Sequence, residues 1–139
     1  MLNLSFFILS FSPSVFGEII KGQWEFVKEQ EYCFIQSAPI ETKIPEGKTR
    51  GQYYILVYRM HKSPDIIVQI TAGFNYKDSN SVEVKIDSSN YDFYADGYTA
   101  WAKDYKKVIY AMKKGLDLTL TGESARGTIT NAVSYTHLR

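Results

Sequence analysis

Apolar positions follow two rhythms along this chain. Over most of its length they recur at every second residue in short runs, the spacing of strands. Once, at Tyr105, Val108, Ile109 and Met112, they recur at i, i+3, i+4 and i+7, the spacing of one helical face. That helix is bounded at both ends. Asp104 supplies an N-terminal cap. Gly115 follows Lys113 and Lys114, so cations sit at the negative end of the helix and a residue that accepts a left-handed conformation lies just beyond. Leu116, Leu118 and Leu120 then alternate with Asp117, Thr119 and Thr121, which predicts a strand with one dry face and one wet face.

The same reading places strands over residues 24–28 and 32–37, split by the polar run 29–31. Residues 39–51 are rich in turn formers, with Pro45-Glu46-Gly47 as a tight turn. Residues 52–60 carry Tyr53, Ile55 and Val57 on one face and Tyr54, Leu56 and Tyr58 on the other. Neither face is wet, which predicts a central strand covered on both sides. The connection 61–65, with Pro64, leads to a strand over 66–71. After the polar turn 77–81, Val82, Val84 and Ile86 alternate with charges, residues 87–90 turn the chain, and 91–95 returns as a hairpin partner that Asp96-Gly97 closes before the helix. The βαβ rhythm of a parallel sheet is absent. The expected fold is therefore mainly β: one antiparallel β-sandwich or partly open barrel of seven or eight strands with one short late α-helix.

Residues 1–17 change this picture. They carry no charge, are mostly large and apolar, and end in a small residue before the first acid, Glu18. That is the pattern of a secretory signal peptide, too short and too broken by serines and Pro13 to span a bilayer. The expectation is an exported chain, periplasmic or surface-associated after signal removal, with a single β-rich domain over 18–139 and no transmembrane segment in the mature part. A net charge of +1 offers no electrostatic attraction for nucleic acid or anionic lipid. Cys33 is the only cysteine, so no internal disulfide can form, and a buried, inert thiol is expected.

Candidate chemistry is sparse. Gly47-Lys48-Thr49 ends like a phosphate-binding loop, but Thr42 stands where the first glycine is required. Ser124, in Gly122-Glu123-Ser124-Ala125-Arg126-Gly127, resembles a nucleophile elbow whose second glycine is replaced by Arg126, and the only histidines that could serve as its base are His61 and His137. Two histidines and one cysteine do not compose a zinc site, and Asp87, Asp92 and Asp96 lack the spacing of a calcium loop. No catalytic, cofactor-binding or metal residue is assigned. The eleven tyrosines carry more weight, because their large apolar bodies and polar tips suit partner surfaces. The candidate binding surface is Tyr91, Tyr94 and Tyr98 beside the second hairpin. Arg126 joins it as a solvated edge charge or a partner for Glu123.

Trp24, Cys33, Arg50-Gly51, residues 53–59, Gly73-Phe74, the alternating run 82–87, Phe93, Ala100-Trp101, the Ala-Met-Lys-Lys-Gly run 111–115 and the Gly-Glu-Ser-Ala-Arg-Gly-Thr run 122–128 together resemble the invasion-associated locus B family of Gram-negative bacteria. The resemblance implies an exported β-rich envelope domain, linked in some pathogens to host-cell invasion, with no catalytic residues to carry over. Beyond the Arg-Gly-Thr turn the family continues with an Asp-Thr-Tyr-Ser-Leu-like strand, whereas residues 131–139 read Asn-Ala-Val-Ser-Tyr-Thr-His-Leu-Arg. They are expected to form a non-native or truncated end that leaves one sheet edge unpaired. The functional expectation is a non-enzymatic exported protein that binds a protein or cell-envelope component. The alternatives are an envelope hydrolase using Ser124, with Arg126 holding an anion, or a purely structural envelope protein.

Overall fold

A computed structural model describes residues 23–43, 46–47, 51 and 53–135. The expected signal peptide lies outside the described residues, as do Lys48, Thr49 and His137. Among the described residues there are eleven strands and one helix. The strands are β1 (Glu25–Lys28), β2 (Tyr32–Ser37), β3 (Glu41–Lys43), β4 (Tyr54–Met60), β5 (Ile67–Thr71), β6 (Val82–Ile86), β7 (Ser89–Tyr91), β8 (Phe93–Asp96), β9 (Thr99–Ala102), β10 (Asp117–Glu123) and β11 (Ile129–Tyr135), and the helix is α1 (Tyr105–Lys114). They form two antiparallel sheets, β1-β2-β4-β5-β9-β8 and β3-β11-β10-β6-β7. The architecture is a β-sandwich with a single helix.

Both sheets turn one face inward, as the alternation requires. Ile55, Val57, Val68, Ile70, Ala95 and Ala100 come from the first sheet, and Val84, Ile86, Leu118, Leu120 and Ala132 from the second, all buried in one core. Helix α1 adds Val108 and Met112 to that core, with Tyr105 and Ile109 half-buried beside them. The Asp104 carboxylate accepts from the Lys107 amide at 3.3 Å, which is the expected cap. At the other end Gly115 is extended, with φ −83°, and does not adopt the left-handed conformation expected of it. Its glycine identity answers to space instead. A Cβ there would meet Ile86 Cγ2 at 2.7 Å and the Ala111 carbonyl at 2.9 Å.

Three further expectations are corrected. The hairpin expected over 82–95 is divided between the sheets: β6 and β7 pair around the two-residue turn Asp87-Ser88, whereas β8 pairs with β9 in the other sheet. The chain changes sheet at Asp92. Tyr91, Phe93 and Ala95 all face the same core, so the period-two pattern runs through the crossing unbroken and conceals it. Leu116, expected to be buried, is 64% exposed because it precedes β10. The unpaired edge expected beyond the Arg-Gly-Thr turn is not there: β11 includes residues 131–135 and lies between β10 and β3.

The outer faces of the two sheets differ sharply. On the five-stranded sheet Glu83, Lys85, Thr119, Thr121 and Asn131 point outward, a largely polar surface that also carries Val133 and Ile129. On the six-stranded sheet the outward rows are Val27, Phe34, Tyr58, Ile67 and, next to it, Gln36, Leu56, Gln69, Trp101, Tyr94. Strand β4 is buried on both faces, as its sequence predicted, with Ile55 and Val57 inward and Leu56 and Tyr58 outward.

Candidate functional site

The outward row of the six-stranded sheet ends at an aromatic corner. Tyr94 on β8 and Trp101 on β9 are register partners, so their rings meet on one face, with centroids 5.4 Å apart and planes 31° from parallel. Trp101 Nε1 donates to Gln69 Oε1 at 3.2 Å, which fixes the indole against β5. Tyr98 stands exposed at the tip of the β8–β9 turn, beside Gly97 at φ 63°. Tyr94 and Tyr98 thus both lie exposed on the β8–β9 hairpin, four positions apart. Tyr91 does not: it pairs with Val84 in the other sheet and packs half-buried against the inner core.

Beside Tyr94 lies an open cleft of about 390 Å³, lined by Tyr76, Lys77, Asp78, Asp96 and Gly97 among others. Ala95 donates its amide to the Ser79 carbonyl at 3.0 Å, which ties β8 to the 77–81 turn that makes the far wall. Asp78 organises that turn, accepting from Ser81 Oγ at 2.8 Å and from the Asn80 amide at 2.9 Å. The Ser81 hydroxyl, and then the Asn80 amide, hold the Asp78 carboxyl below its ordinary value, so it stays ionised.

Ser124 and Arg126 sit on the same side of the molecule, because Ala125 donates to the Asn75 carbonyl and Tyr76 bridges to Ser124. Arg126 is exposed, and the Glu123 carboxylate is met by Lys77 Nζ at 3.5 Å instead. Ser124 is a turn organiser. Its Oγ accepts from the Thr128 amide at 3.1 Å and from the Arg126 amide at 3.3 Å, and its backbone pairs with Thr128. Gly127 takes the left-handed φ of 85° that this turn needs. Gly122 lies within β10 under the Phe74 and Tyr76 rings, where a Cβ would come within 3.1 and 3.0 Å of them. His61 is remote, its Nε2 sharing a hydrogen with the Glu29 carbonyl at 3.0 Å near the β1–β2 turn.

Asp87, Asp92 and Asp96 do not converge. Asp87 accepts the Leu116 and Asp117 amides where α1 meets β10, Asp92 lies at the change of sheet, and Asp96 lines the cleft. Among the described residues no group of three histidine, cysteine or acidic side chains could hold a metal ion, and no helix is long and apolar enough to cross a membrane. Cys33, expected to be buried, is only half-buried. Trp101 and Gln69 were missed as surface-building residues. Trp101 sits between alanines in a four-residue strand, where alternation is too brief to read, and its signal was its large aromatic body alone. The chain matches no family model, no curated protein and no solved structure.

Proposed function

We propose that the chain is an exported, non-enzymatic envelope protein of the invasion-associated locus B kind, which binds a protein or envelope component at the β8–β9 corner. One observation carries the reading: Tyr94 and Tyr98 are both exposed on the β8–β9 hairpin at a sheet edge, Tyr94 against Trp101, beside a cleft whose walls offer Lys77, Asp78 and Asp96. Rigid aromatic rings bury large area at low cost in side-chain entropy, and mixed charges at the rim add orientation. The Ala-Met-Lys-Lys-Gly and Gly-Glu-Ser-Ala-Arg-Gly-Thr runs that carry the resemblance do structural work here, closing α1 onto Ile86 and organising the β10–β11 turn. A family without catalytic residues fits that use.

The test is export together with association. The chain is produced in a Gram-negative host, fractionated, and cross-linked in the periplasm. The expected result is a processed chain in that fraction and a discrete cross-linked species that the Tyr94→Ala/Tyr98→Ala double variant loses while keeping its circular dichroism. Retention of the full chain in the cytoplasm, or the same species with the double variant, overturns the reading.

A further inference from the structure

Helix α1 lies across one end of the sandwich. It follows β9 of the six-stranded sheet and stops at Gly115, close against Ile86 of β6 in the five-stranded sheet. Val108 and Met112 enter the core, so the opposite face of the helix points away from the molecule. That face carries Lys106, Lys107, Tyr110, Lys113 and Lys114, all exposed. Their i, i+1, i+4, i+7, i+8 spacing makes one stripe about 12 Å long. Lys103, also exposed, extends it just before the helix. Residues 103–114 hold five lysines against a single acid, Asp104, so the overall charge of +1 averages a basic end with an acidic remainder. Among the described residues none of these five lysines is ion-paired. Lys114 Nζ rests over the Tyr110 ring, 4.7 Å from its centroid. The acids on and beside the helix flank the stripe without interrupting it. Asp104 caps α1, Asp65 accepts from the Tyr105 hydroxyl, Asp87 accepts the Leu116 and Asp117 amides, and Asp117 opens β10.

We infer that this lysine stripe is a docking surface for an anionic phospholipid bilayer. Two observations choose a bilayer over other polyanions. Every cation on the stripe is a lysine, a flexible point charge without the planar fork by which arginine fits an individual phosphate, and such charges suit a diffuse field of mobile headgroups. At the centre of the stripe Tyr110 is 61% exposed, and directly after α1 Leu116 is 64% exposed. An aromatic ring among cations and an apolar side chain at their rim gain nothing from a wholly polar polyanion, but they enter the headgroup layer favourably. The fold also fixes the orientation. The β8–β9 turn precedes β9 and Lys103 follows it, while β10 begins next to α1 and ends at Glu123, which meets Lys77 of the cleft. A chain docked through α1 therefore holds its β8–β9 corner and cleft away from the bilayer. This surface is separate from the corner proposed above, and neither depends on the other.

The two ends are read separately in the full chain. In a Cys33→Ser background, the polarity-sensitive dye nitrobenzoxadiazole is attached through Tyr110→Cys or through Tyr98→Cys. On vesicles of phosphatidylglycerol and phosphatidylcholine, the label at position 110 is expected to brighten and shift to the blue. It is expected to do neither on phosphatidylcholine alone and to lose the response at raised salt, while the label at position 98 stays unchanged throughout. By vesicle sedimentation, Lys113→Gln/Lys114→Gln is expected to weaken binding about 25-fold, roughly fivefold per lysine. Lys43→Gln/Lys85→Gln, which removes the same charge from the five-stranded sheet, is expected to leave binding intact. Circular dichroism checks each variant, and the lysine pairs, which keep Cys33, decide alone if the labelled background does not fold. No response at 110, an equal response on neutral vesicles, a response at 98 instead, equal losses from the two lysine pairs, or the same response of the 110 label to a duplex oligonucleotide overturns the inference.

Discussion

Two hydroxyl-bearing turns show how much of this surface is committed to holding backbone. Ser124 Oγ accepts two amides across the β10–β11 turn while its residue is largely buried, so Ser124→Ala leaves Arg126 and Thr128 donors short of an acceptor. Each such loss costs about 1–2 kcal/mol, and urea denaturation is expected to show a destabilisation of that order. Ser124→Asp, which can still accept from an amide, is expected to lose less. Asp78 is the acidic counterpart. Its folded pKa lies below the ordinary 3.8, first because Ser81 Oγ donates to it. A depressed carboxyl favours the folded chain above that ordinary value, and the contribution is lost as pH falls through the folded pKa. The group is fully exposed, so the effect on stability is small and the titration is the better readout. In Ser81→Ala the Asp78 carboxyl is expected to titrate closer to 3.8 by NMR; an unmoved midpoint would show that the hydroxyl does not hold it.

At the level of elements, α1 is secured by its ends and by one stripe. The four apolar positions at helical spacing, the Asp104 cap and the terminal lysines were all legible, because each depends only on neighbours within a turn or two. What Gly115 does was not legible. Its constraint comes from Ile86, twenty-nine positions earlier, packed against it across the sheet. Gly115→Ala places a methyl 2.7 Å from Ile86 Cγ2 and 2.9 Å from a backbone carbonyl that cannot swing aside. Overpacking of this kind costs about 1–3 kcal/mol, and the thermal midpoint is expected to fall by several degrees. Relief by the second change Ile86→Val, which removes part of the side chain in the way, would show that the clash and not the helix end is responsible. Strands behaved in the same way. Those with long alternation, β4, β6 and β10, were legible nearly to the residue, whereas β3, with three exposed residues, and β9, with four, carry no period to read. The division of β7 from β8 between sheets was hidden because the chain keeps its inner face inward as it crosses.

For the molecule as a whole, alternation along β4 announced a strand covered on both sides, but a sequence cannot say what does the covering on the second side. The candidate surface was partly legible: Tyr94 and Tyr98 are both exposed on the β8–β9 hairpin, whereas Tyr91 turned inward because its partner Val84 faces the core. The dry outer sheet has a measurable electrostatic signature. Burial raises the hydroxyl pKa of Tyr54 above its ordinary 10.0, with a smaller opposing influence from the neighbouring Thr71 side chain. Burial likewise raises Tyr32, and the charges of Glu29 and Glu31 add to it. A raised folded pKa means that the native state holds these protons more tightly than the unfolded chain. Their contribution is complete below about pH 10 and disappears as pH climbs through the folded values. Alkaline titration followed by phenolate absorbance is therefore expected to show Tyr32 and Tyr54 ionising above pH 10, with unfolding accompanying their ionisation. Tyr54→Phe is expected to remove one late phenol and shift unfolding to higher pH.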